Sequence, residues 1–165
     1  RTGKSGFAAI IFIDDKSTLK LKGNTEAVIS GQRTAASISK KINMDSGTVR
    51  ATVNKQNTDF VIQTPTSVAS VKGTDFWLLT DPVTGDQVIG IEGIVGLMNS
   101  ETGQEVDVNE GMSGTSTPDG NLGVNETDPS SIPQDPSADQ EGPSQMKIYL
   151  EGPNGEQKVM IIEYQ

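Results

Sequence analysis

The sequence predicts an all-β protein: a wrapped β-sheet or β-solenoid-like module, followed by a linker and a C-terminal β-hairpin. Three observations support this fold class. The 165 residues include 18 glycines and 8 prolines, a content that favours many turns over long helices. Short segments with β-type patterns follow one another closely along the chain. Glycines recur after several of these segments at similar intervals.

The strand predictions begin with residues 7–13, whose apolar side chains on both faces predict a buried strand. Residues 18–22 alternate between apolar and polar side chains, the pattern of a strand with one buried face. Further strands are predicted at residues 26–29, 48–53, 59–63, 68–71, 76–79, 87–91, 94–99 and 105–108. Residues 35–42 are the one segment with helical potential, but they lack leucine and are rich in serine, so we expect them to be extended.

The glycine repeat consists of Gly23, Gly47, Gly73, Gly93 and Gly111, with separations of 24, 26, 20 and 18 residues. A period of roughly 20 residues suits either the coils of a β-solenoid or successive hairpins of a wrapped sheet. Glycine fits the corners of both, since it tolerates positive φ and close backbone approach. A third interpretation is that any β protein with many glycine turns shows such spacing. The sequence leaves these alternatives open.

Residues 115–145 differ in composition from the β module predicted for residues 1–114. They contain five of the eight prolines, six acidic residues and no basic ones. This composition is typical of a linker, because it buries too little apolar surface to offset the entropy of ordering the chain. Such a linker becomes ordered only where its own domain or a neighbouring chain holds it.

Residues 146–165 form the third region, a predicted β-hairpin. A Pro-Asn-Gly turn at residues 153–155 separates two segments with strand patterns. A two-stranded hairpin is marginally stable in water, so we expect it to dock on a sheet of its own chain or of a neighbouring chain. The residues predicted to act as strand donors in this docking are Met146, Ile148, Leu150, Val159, Met160, Ile161, Ile162 and Tyr164.

The residue content excludes several kinds of chemistry. The chain has no His and no Cys, which removes the commonest metal ligand and general base and every Ser-His or Cys-His nucleophile pair. The net charge of −9 and the lack of a basic stripe argue against nucleic acid, and no apolar run approaches the ~20 residues of a membrane span. We therefore expect a non-enzyme with no catalytic residue, metal, cofactor, nucleic-acid partner or membrane span. Because the first residue is Arg1 and not Met, we interpret the chain as a processed or trimmed product.

Three short motifs have alternative interpretations. Residues 3–5 (Gly-Lys-Ser) are similar to the end of a phosphate loop, but the upstream glycine is absent and a strand follows. The pair Asp14-Asp15 fits a catalytic carboxylate pair, although its place in a tight turn favours turn chemistry. Asp81, Asp86 and the acidic linker are oxygen ligands that suit Ca²⁺, without the spacing of a calcium-binding loop.

The most strongly patterned segment, residues 64–76, resembles the signature of the FecR domain, a bacterial extracytoplasmic β module. The matching positions are Thr64, Pro65, Val68, Ala69, Val71, Lys72, Gly73, Thr74 and Phe76. Similarity to the family's opening strands is carried by Asp15, Ser17, Leu19, Leu21, Asn24 and Thr25. Lys16 stands between the first two of these, where the family usually has glycine. Residues 88–111 resemble a third run, so the resemblance extends over about residues 1–114.

The resemblance implies that residues 64–78 form a strand, a corner at Gly73 and a second strand. The core residues of this unit would be Val68, Val71, Phe76 and Leu78. In that case the family motif is structural. The alternative is a ligand groove lined by Lys72, Thr74 and Trp77.

Three functions are compatible with these features. The first is a non-catalytic, extracytoplasmic interaction or structural subunit of a bacterium, whose partners are copies of itself. In its most specific form, the C-terminal hairpin pairs with an open sheet edge of the next molecule and builds a head-to-tail filament. The alternative is the periplasmic signalling module of a FecR-type sigma-factor regulator, since the best-known members of the family are transmembrane regulators. A carbohydrate-binding β-solenoid is the third, against which the single Trp argues.

Overall fold

The computed structural model describes residues 1–33, 38–55, 60–136, 144–151 and 157–164. These residues fall into two compact units, Arg1–Pro133 and Gln134–Gln165. Most of the described residues lie in β-strands, and none of them lies in an α-helix. The all-β prediction is therefore confirmed.

The first unit contains twelve strands and one turn of 3-10 helix among its described residues. The strands are β1 (Ala8–Ile11), β2 (Thr18–Leu21), β3 (Glu26–Arg33), β4 (Ile38–Val53), β5 (Phe60–Gln63), β6 (Ser67–Val71), β7 (Thr74–Asp81), β8 (Gly85–Glu92), β9 (Ile94–Asn99), β10 (Glu105–Asn109), β11 (Met112–Ser116) and β12 (Leu122–Glu126), and the 3-10 helix is Pro129–Ser131. Residues 38–42 lie in β4 and are extended, as predicted, while residues 35–37 lie outside the described residues.

Strand β4 is shared by two sheets and connects them. Its first half pairs with β3 and β5, and its second half pairs with β2 and β7. The first sheet has the order β1-β2-β4-β7-β8-β11-β12, and the second has the order β3-β4-β5-β6-β9-β10. Every pairing is antiparallel except the parallel pair of β4 with β5. The glycines of the repeat lie where the chain passes from one sheet to the other: between β2 and β3, within β4, and between β6 and β7, β8 and β9, and β10 and β11. The repeat therefore marks the corners of a wrapped sheet and not the parallel coils of a solenoid.

Gly47 lies where β4 passes from the second sheet to the first. Its φ is +113°, a backbone conformation that side-chain-bearing residues rarely adopt. A Cβ at this position would overlap the backbone and side chain of Thr25. The glycine is needed here because two backbones approach closely at the bend.

The core lies between the two sheets and follows from strand alternation. Along β7, Phe76 and Leu78 point into the core and are fully buried, whereas Trp77 points to the outer face of the first sheet. Val71 is also buried, as predicted. The prediction that Val68 is a core residue is wrong: Val68 is half-buried on the outer face, and its neighbour Ala69 occupies the inward position.

Strand β1 is shorter than the strand predicted at residues 7–13, and it lies at an edge of the first sheet. Among the described residues it pairs with β2 alone. Ile11 is 62% exposed and Ile13 is 86% exposed. The prediction of a strand buried on both faces is wrong, because an apolar run alone does not distinguish an edge strand from a central one.

The sheet continues past residue 114, where the sequence placed the end of the β module. Strand β12 pairs with β11 inside the segment predicted as a linker, and the first unit extends to Pro133. The pairing of β11 with β12 and the hydrogen bond from the Thr127 N–H to the Gly111 carbonyl hold residues 115–127 to the first unit, which is one of the two conditions stated for order in this segment.

The second unit is a two-stranded antiparallel hairpin, formed by β13 (Ser144–Glu151) and β14 (Gln157–Tyr164). Its register places Met146 opposite Ile162 and Ile148 opposite Met160. The predicted hairpin is thus present, and its docking stays a prediction. Within the described ranges, no helix has the length and apolar character needed to cross a membrane.

Candidate functional site

Thr64 of the family motif closes the tight turn between β5 and β6. Its backbone N–H donates to the carbonyl of Ser67 at 2.9 Å. Its Oγ1 accepts hydrogen bonds from the backbone N–H groups of Thr66 at 3.1 Å and Ser67 at 2.8 Å. Pro65 occupies the exposed tip of the turn, where a missing N–H costs nothing. Turn geometry therefore explains the Thr-Pro pair of the motif.

The same turn contacts a buried carboxyl group on the other sheet. Thr64 Oγ1 donates to Asp86 Oδ2 at 2.5 Å, and Ser67 Oγ donates to the same oxygen. Asp86 lies on β8, directly opposite Thr80 of β7 and Ser116 of β11, and is 4% exposed. We call Thr64, Ser67, Thr80 and Asp86 the Asp86 cluster. Because Thr64 and Ser67 belong to the second sheet and Asp86 to the first, the cluster joins the two sheets.

A second bond between the sheets lies next to the Asp86 cluster. The side-chain amide of Asn99, on β9, donates to Ser116 Oγ at 2.9 Å and to the Thr117 carbonyl at 2.9 Å. The Asn99 Oδ1 accepts from the backbone N–H groups of Glu101 and Thr102, both at 3.0 Å. Asn99 and Ser116 are both fully buried. This end of the core is therefore closed by neutral polar side chains.

Asp86 has no cation at ion-pair distance in the part of the chain that the structure describes. Burial raises the pKa of its carboxyl, and the hydroxyl groups of Ser67 and Thr64 oppose this effect only in part. Its second oxygen, Oδ1, is buried without a hydrogen-bond partner, as is the hydroxyl of Thr80. Thr80 faces Asp86 across β7 and β8.

The opposite end of β5 contains a buried cation. Lys40 lies opposite Phe60 on β4 and points into the core, and its side chain is 1% exposed. Its Nζ donates to Asp14 Oδ2 at 2.8 Å and to Asp15 Oδ2 at 2.6 Å. The ring of Phe12 lies 5.2 Å from the same nitrogen. We call Lys40, Asp14 and Asp15 the Lys40 cluster; it ties the β1–β2 turn to the second sheet.

Ion pairing dominates the titration of the Lys40 cluster. Burial alone would lower the pKa of Lys40, but hydrogen bonds and charge attraction from Asp14 and Asp15 outweigh it and raise that pKa. Burial would raise the pKa of Asp15, but Lys40 and the Ser17 N–H, 2.9 Å from its Oδ1, lower that pKa overall. The pair Asp14-Asp15 is thus a turn that holds a buried lysine, in line with the turn interpretation and not with a catalytic pair.

Gly73 makes the corner between β6 and β7. Its φ is +148°, and a Cβ would lie 3.0 Å from the Cα of Lys55. The ligand groove predicted as an alternative at Lys72, Thr74 and Trp77 is not formed. Thr74 points into the core, whereas Trp77 lies on the outer face and is only 1% exposed. No aromatic surface is therefore offered to a sugar at this corner.

The outer face above Trp77 carries positive charge. Lys22 Nζ lies 6.0 Å from the centre of the Trp77 ring, and the guanidinium of Arg50 lies 5.8 Å from it. Arg50 also forms a two-pronged ion pair with Asp75, with distances of 2.9 and 2.8 Å. These contacts explain how a tryptophan on the outer face of a sheet is covered.

The calcium alternative finds no support in the described residues. Asp81 Oδ1 accepts hydrogen bonds from the backbone N–H groups of Val83 and Thr84 in the β7–β8 turn. Asp86 is enclosed in the Asp86 cluster, so the two carboxylates are engaged in separate hydrogen-bond networks. In the described ranges, no three acidic side chains lie close enough together to hold a metal ion.

An open groove of about 530 Å³ lies on the outer face of the second sheet. Its lining residues are Ser30, Gly31, Ser39, Lys40, Lys41, Val61, Gln63 and Val68. On the adjacent edge strand β3, Val28 is 62% exposed and Ile29 is 37% exposed. Strand β10, at the other edge of this sheet, exposes the acidic residues Glu105 and Asp107. A shallow aliphatic groove beside an edge strand suits contact with a polypeptide better than catalysis.

The eight predicted strand donors lie on the two strands of the second unit, β13 and β14. The structure therefore brings them into one hairpin, and their role as donors stays a prediction. Sequence analysis missed Lys40, and it considered Asp86 only as a candidate calcium ligand. Alternation with Ile42 and Met44 places Lys40 on the inward face of β4 and was a usable signal. Nothing near Asp86 in the sequence pointed to Thr64 or Ser67.

Comparison with solved structures finds the same fold in a bacterial protein. Two crystal structures of a candidate anti-sigma factor from Parabacteroides distasonis each match with a TM-score of 0.63 at 14% sequence identity. The match covers 77% of this chain and 58% of the other chain. This chain therefore spans well under two thirds of the length of those proteins. No curated protein matches the sequence.

Comparison with protein families gives a more direct result. The family described as FecR protein matches residues 1–112, a range that includes the motif at residues 64–76 and both flanking runs. The predicted resemblance over residues 1–114 is confirmed, and the chain belongs to the FecR family.

Proposed function

We propose that this chain is the extracytoplasmic signalling module of a FecR-type regulator, a non-catalytic domain that acts by contact with other proteins. The observation that carries the proposal is the FecR family match over residues 1–112. The likeness in fold to a candidate anti-sigma factor supports the same reading. Both favour the signalling alternative over the self-assembling subunit that we placed first from sequence.

The geometry agrees with a role in binding and not in catalysis. The two polar clusters are enclosed in the core and join the sheets, so their side chains are engaged in structure. The accessible features include the groove on the second sheet and the exposed aliphatic residues of β3. FecR proteins are usually periplasmic or membrane-associated regulators, which supports an extracytoplasmic location and protein partners.

A transcription experiment in the bacterium that carries the gene tests this function. We expect that deleting the codons for residues 1–133 changes the transcripts of a small set of genes controlled by one sigma factor. The matched control is Val83→Lys, a change at an 82% exposed turn residue, which should leave those transcripts at wild-type levels. Identical transcript profiles in the deletion and wild-type strains, with the protein present in both, would contradict the proposal.

A second candidate function is self-assembly through the C-terminal hairpin. It is favoured by one observation: residues 134–165 form a compact unit of their own with two strands of eight residues. If the hairpin donates strands to a neighbouring copy, electron microscopy of the purified chain shows fibres. Deletion of residues 146–165 should then release soluble subunits. If the hairpin instead docks on its own chain, the same deletion would only lower the stability of the monomer. A chain without fibres at high concentration removes this candidate.

A further inference from the structure

The hydrogen bonds of the Asp86 cluster fix the role of one carboxyl oxygen. Thr64 Oγ1 accepts from two backbone N–H groups, and its single proton has two acceptors in reach, the Ser67 carbonyl at 3.2 Å and Asp86 Oδ2 at 2.5 Å. The carboxyl oxygen is the nearer and takes the proton. Ser67 Oγ donates its proton to the same oxygen. Asp86 Oδ2 therefore accepts two hydrogen bonds and does not carry a proton itself.

The other carboxyl oxygen, Oδ1, has no hydrogen-bond partner. Asp86 Oδ1 is buried and accepts no hydrogen bond, and the hydroxyl of Thr80, on the facing residue of β7, is also buried without a partner. A buried polar atom without a partner costs about 1–3 kcal/mol, and a buried unpaired charge costs more. A proton on Oδ1 would remove the charge, and the Thr80 hydroxyl on the facing residue of β7 is an acceptor without another partner.

The side chains around Asp86 give no charge that would stabilise the ionised form. From the four neighbouring elements, the residues that face the carboxyl are Thr64 and Ser67 at the β5–β6 turn, Thr80 on β7 and Ser116 on β11, with Asn99 of β9 behind Ser116. None of these residues titrates. The ionised carboxylate would therefore stand in the core without a counterion.

We propose that Asp86 holds a proton on Oδ1, the oxygen without a donor, up to a higher pH in the folded protein than in the unfolded chain, and that loss of this proton makes the closure between the two sheets pH-dependent. Loss of the proton places a negative charge between β7, β8 and the β5–β6 turn. The folded protein holds this proton more tightly than the unfolded chain does. Stability therefore falls as pH rises from the unfolded pKa of the group to its folded pKa, by up to about tenfold in the folding equilibrium per pH unit.

A titration of the intact chain tests the protonation directly. Carbon-detected NMR follows each aspartate carboxyl with pH, and Asp86→Asn identifies the resonance of Asp86 by its loss. We expect the Asp86 midpoint to lie above the ordinary value of about 3.9. We expect Ser67→Ala, which removes a donor to the ionised form, to raise that midpoint further. A midpoint at or below the ordinary value in the wild type would overturn the proposal.

Unfolding measurements test the protonation of Asp86 independently of NMR. Asn at position 86 can accept from Thr64 and Ser67 and donate to Thr80 as the neutral acid does, but it does not ionise. Asp86→Asn should therefore gain stability relative to the wild type as pH rises. The control is Asp81→Asn, at an exposed turn carboxylate whose pKa is lowered by the Thr84 and Val83 N–H groups, and which should lose stability relative to the wild type as pH rises. If Asp86→Asn loses the same amount of stability relative to the wild type at every pH, the proposal that folded Asp86 keeps its proton to higher pH is contradicted.

Discussion

The two ends of the core hold polar side chains in different ways. At one end, Lys40 is buried together with two carboxylates that neutralise it, and burial of charge is offset by ion pairing. At the other end, Asp86 is buried among hydroxyl groups without a cation. Both clusters join the first sheet to the second. The wrapped sheet is thus joined at both ends by polar bonds, through an ion-paired lysine at one end and through hydroxyl groups on a carboxyl at the other, on either side of an apolar core.

The difference predicts different sensitivity to mutation. An ion pair that loses one partner leaves an uncompensated charge behind, whereas a neutral cluster tolerates any replacement that keeps its hydrogen bonds. It also predicts opposite responses to pH, because pairing lowers the pKa of Asp15 while burial raises the pKa of Asp86. The four predictions below test this contrast, from the largest expected effect to the smallest.

The largest effect is expected from Lys40→Met. The change leaves Asp14 and Asp15 beside an apolar side chain, so the free energy of unfolding should fall by about 3–5 kcal/mol. Urea unfolding measures it. Lys41→Met is the matched control, since Lys41 is the exposed neighbour on the outer face and should change stability by no more than about 0.5 kcal/mol. Similar losses in both variants would show that the Lys40 cluster is not a special site.

Thr64→Val should cost less, about 1–3 kcal/mol, because it removes the acceptor for two turn N–H groups and one donor to Asp86. Thr64→Ser keeps the hydroxyl and should recover most of that loss. Thermal unfolding of both variants measures the difference. If Thr64→Ser is as unstable as Thr64→Val, the hydroxyl is not what the family motif requires at this position.

The loss of unfolding free energy at low pH should depend on the Lys40 cluster. Because the folded pKa of Asp15 is lowered, its stabilisation is present above the ordinary value of 3.8 and is lost as pH falls through the lowered pKa. In Lys40→Met this loss on acidification should be smaller, since the charge attraction has gone. Unfolding free energies at several pH values below 5 measure it. An unchanged loss of unfolding free energy at low pH would mean that Lys40 does not set the titration of Asp15.

The smallest effect is expected from the ion pair of Arg50 with Asp75, which is partly exposed on the outer face. A double-mutant cycle with Arg50→Met and Asp75→Asn should give a coupling of about 1 kcal/mol or less. Salt should weaken it, because the pair is reached by solvent. A coupling as large as the Lys40→Met effect would remove the distinction between surface and core pairs.

Much of the fold was predictable from local pattern. Alternation at residues 18–22 located β2, and the apolar positions of residues 76–79 located β7. Strands β11 and β12 were missed because they contain few apolar residues and are held by backbone pairing with β8 and with each other. Pairing between distant segments leaves no trace in the composition of either one.

The polar clusters were less predictable than the strands. Alternation on β4 indicates that Lys40 points inward, but the two carboxylates that make this tolerable lie more than twenty residues away. The partners of Asp86 are also distant in the sequence, since Thr64 and Ser67 lie 22 and 19 residues before it and on the other sheet. The contacts of the motif threonine, Thr64, with the turn N–H groups and with Asp86 could be recognised only in the folded structure.

Amide hydrogen exchange, measured by NMR on the wild type and on Lys40→Met, tests most directly whether the Lys40 and Asp86 clusters close the two ends of the wrapped sheet independently. We predict that the variant accelerates exchange at the β1–β2 turn, at the Phe12 N–H that donates to Ser17 and the Lys16 N–H that donates to Phe12, beyond the loss in global stability. The Ser67 N–H, bonded to Thr64 Oγ1 in the other cluster, should change only by the global amount. Equal acceleration at both ends would contradict the account, since it would mean that the two clusters do not close the sheet independently.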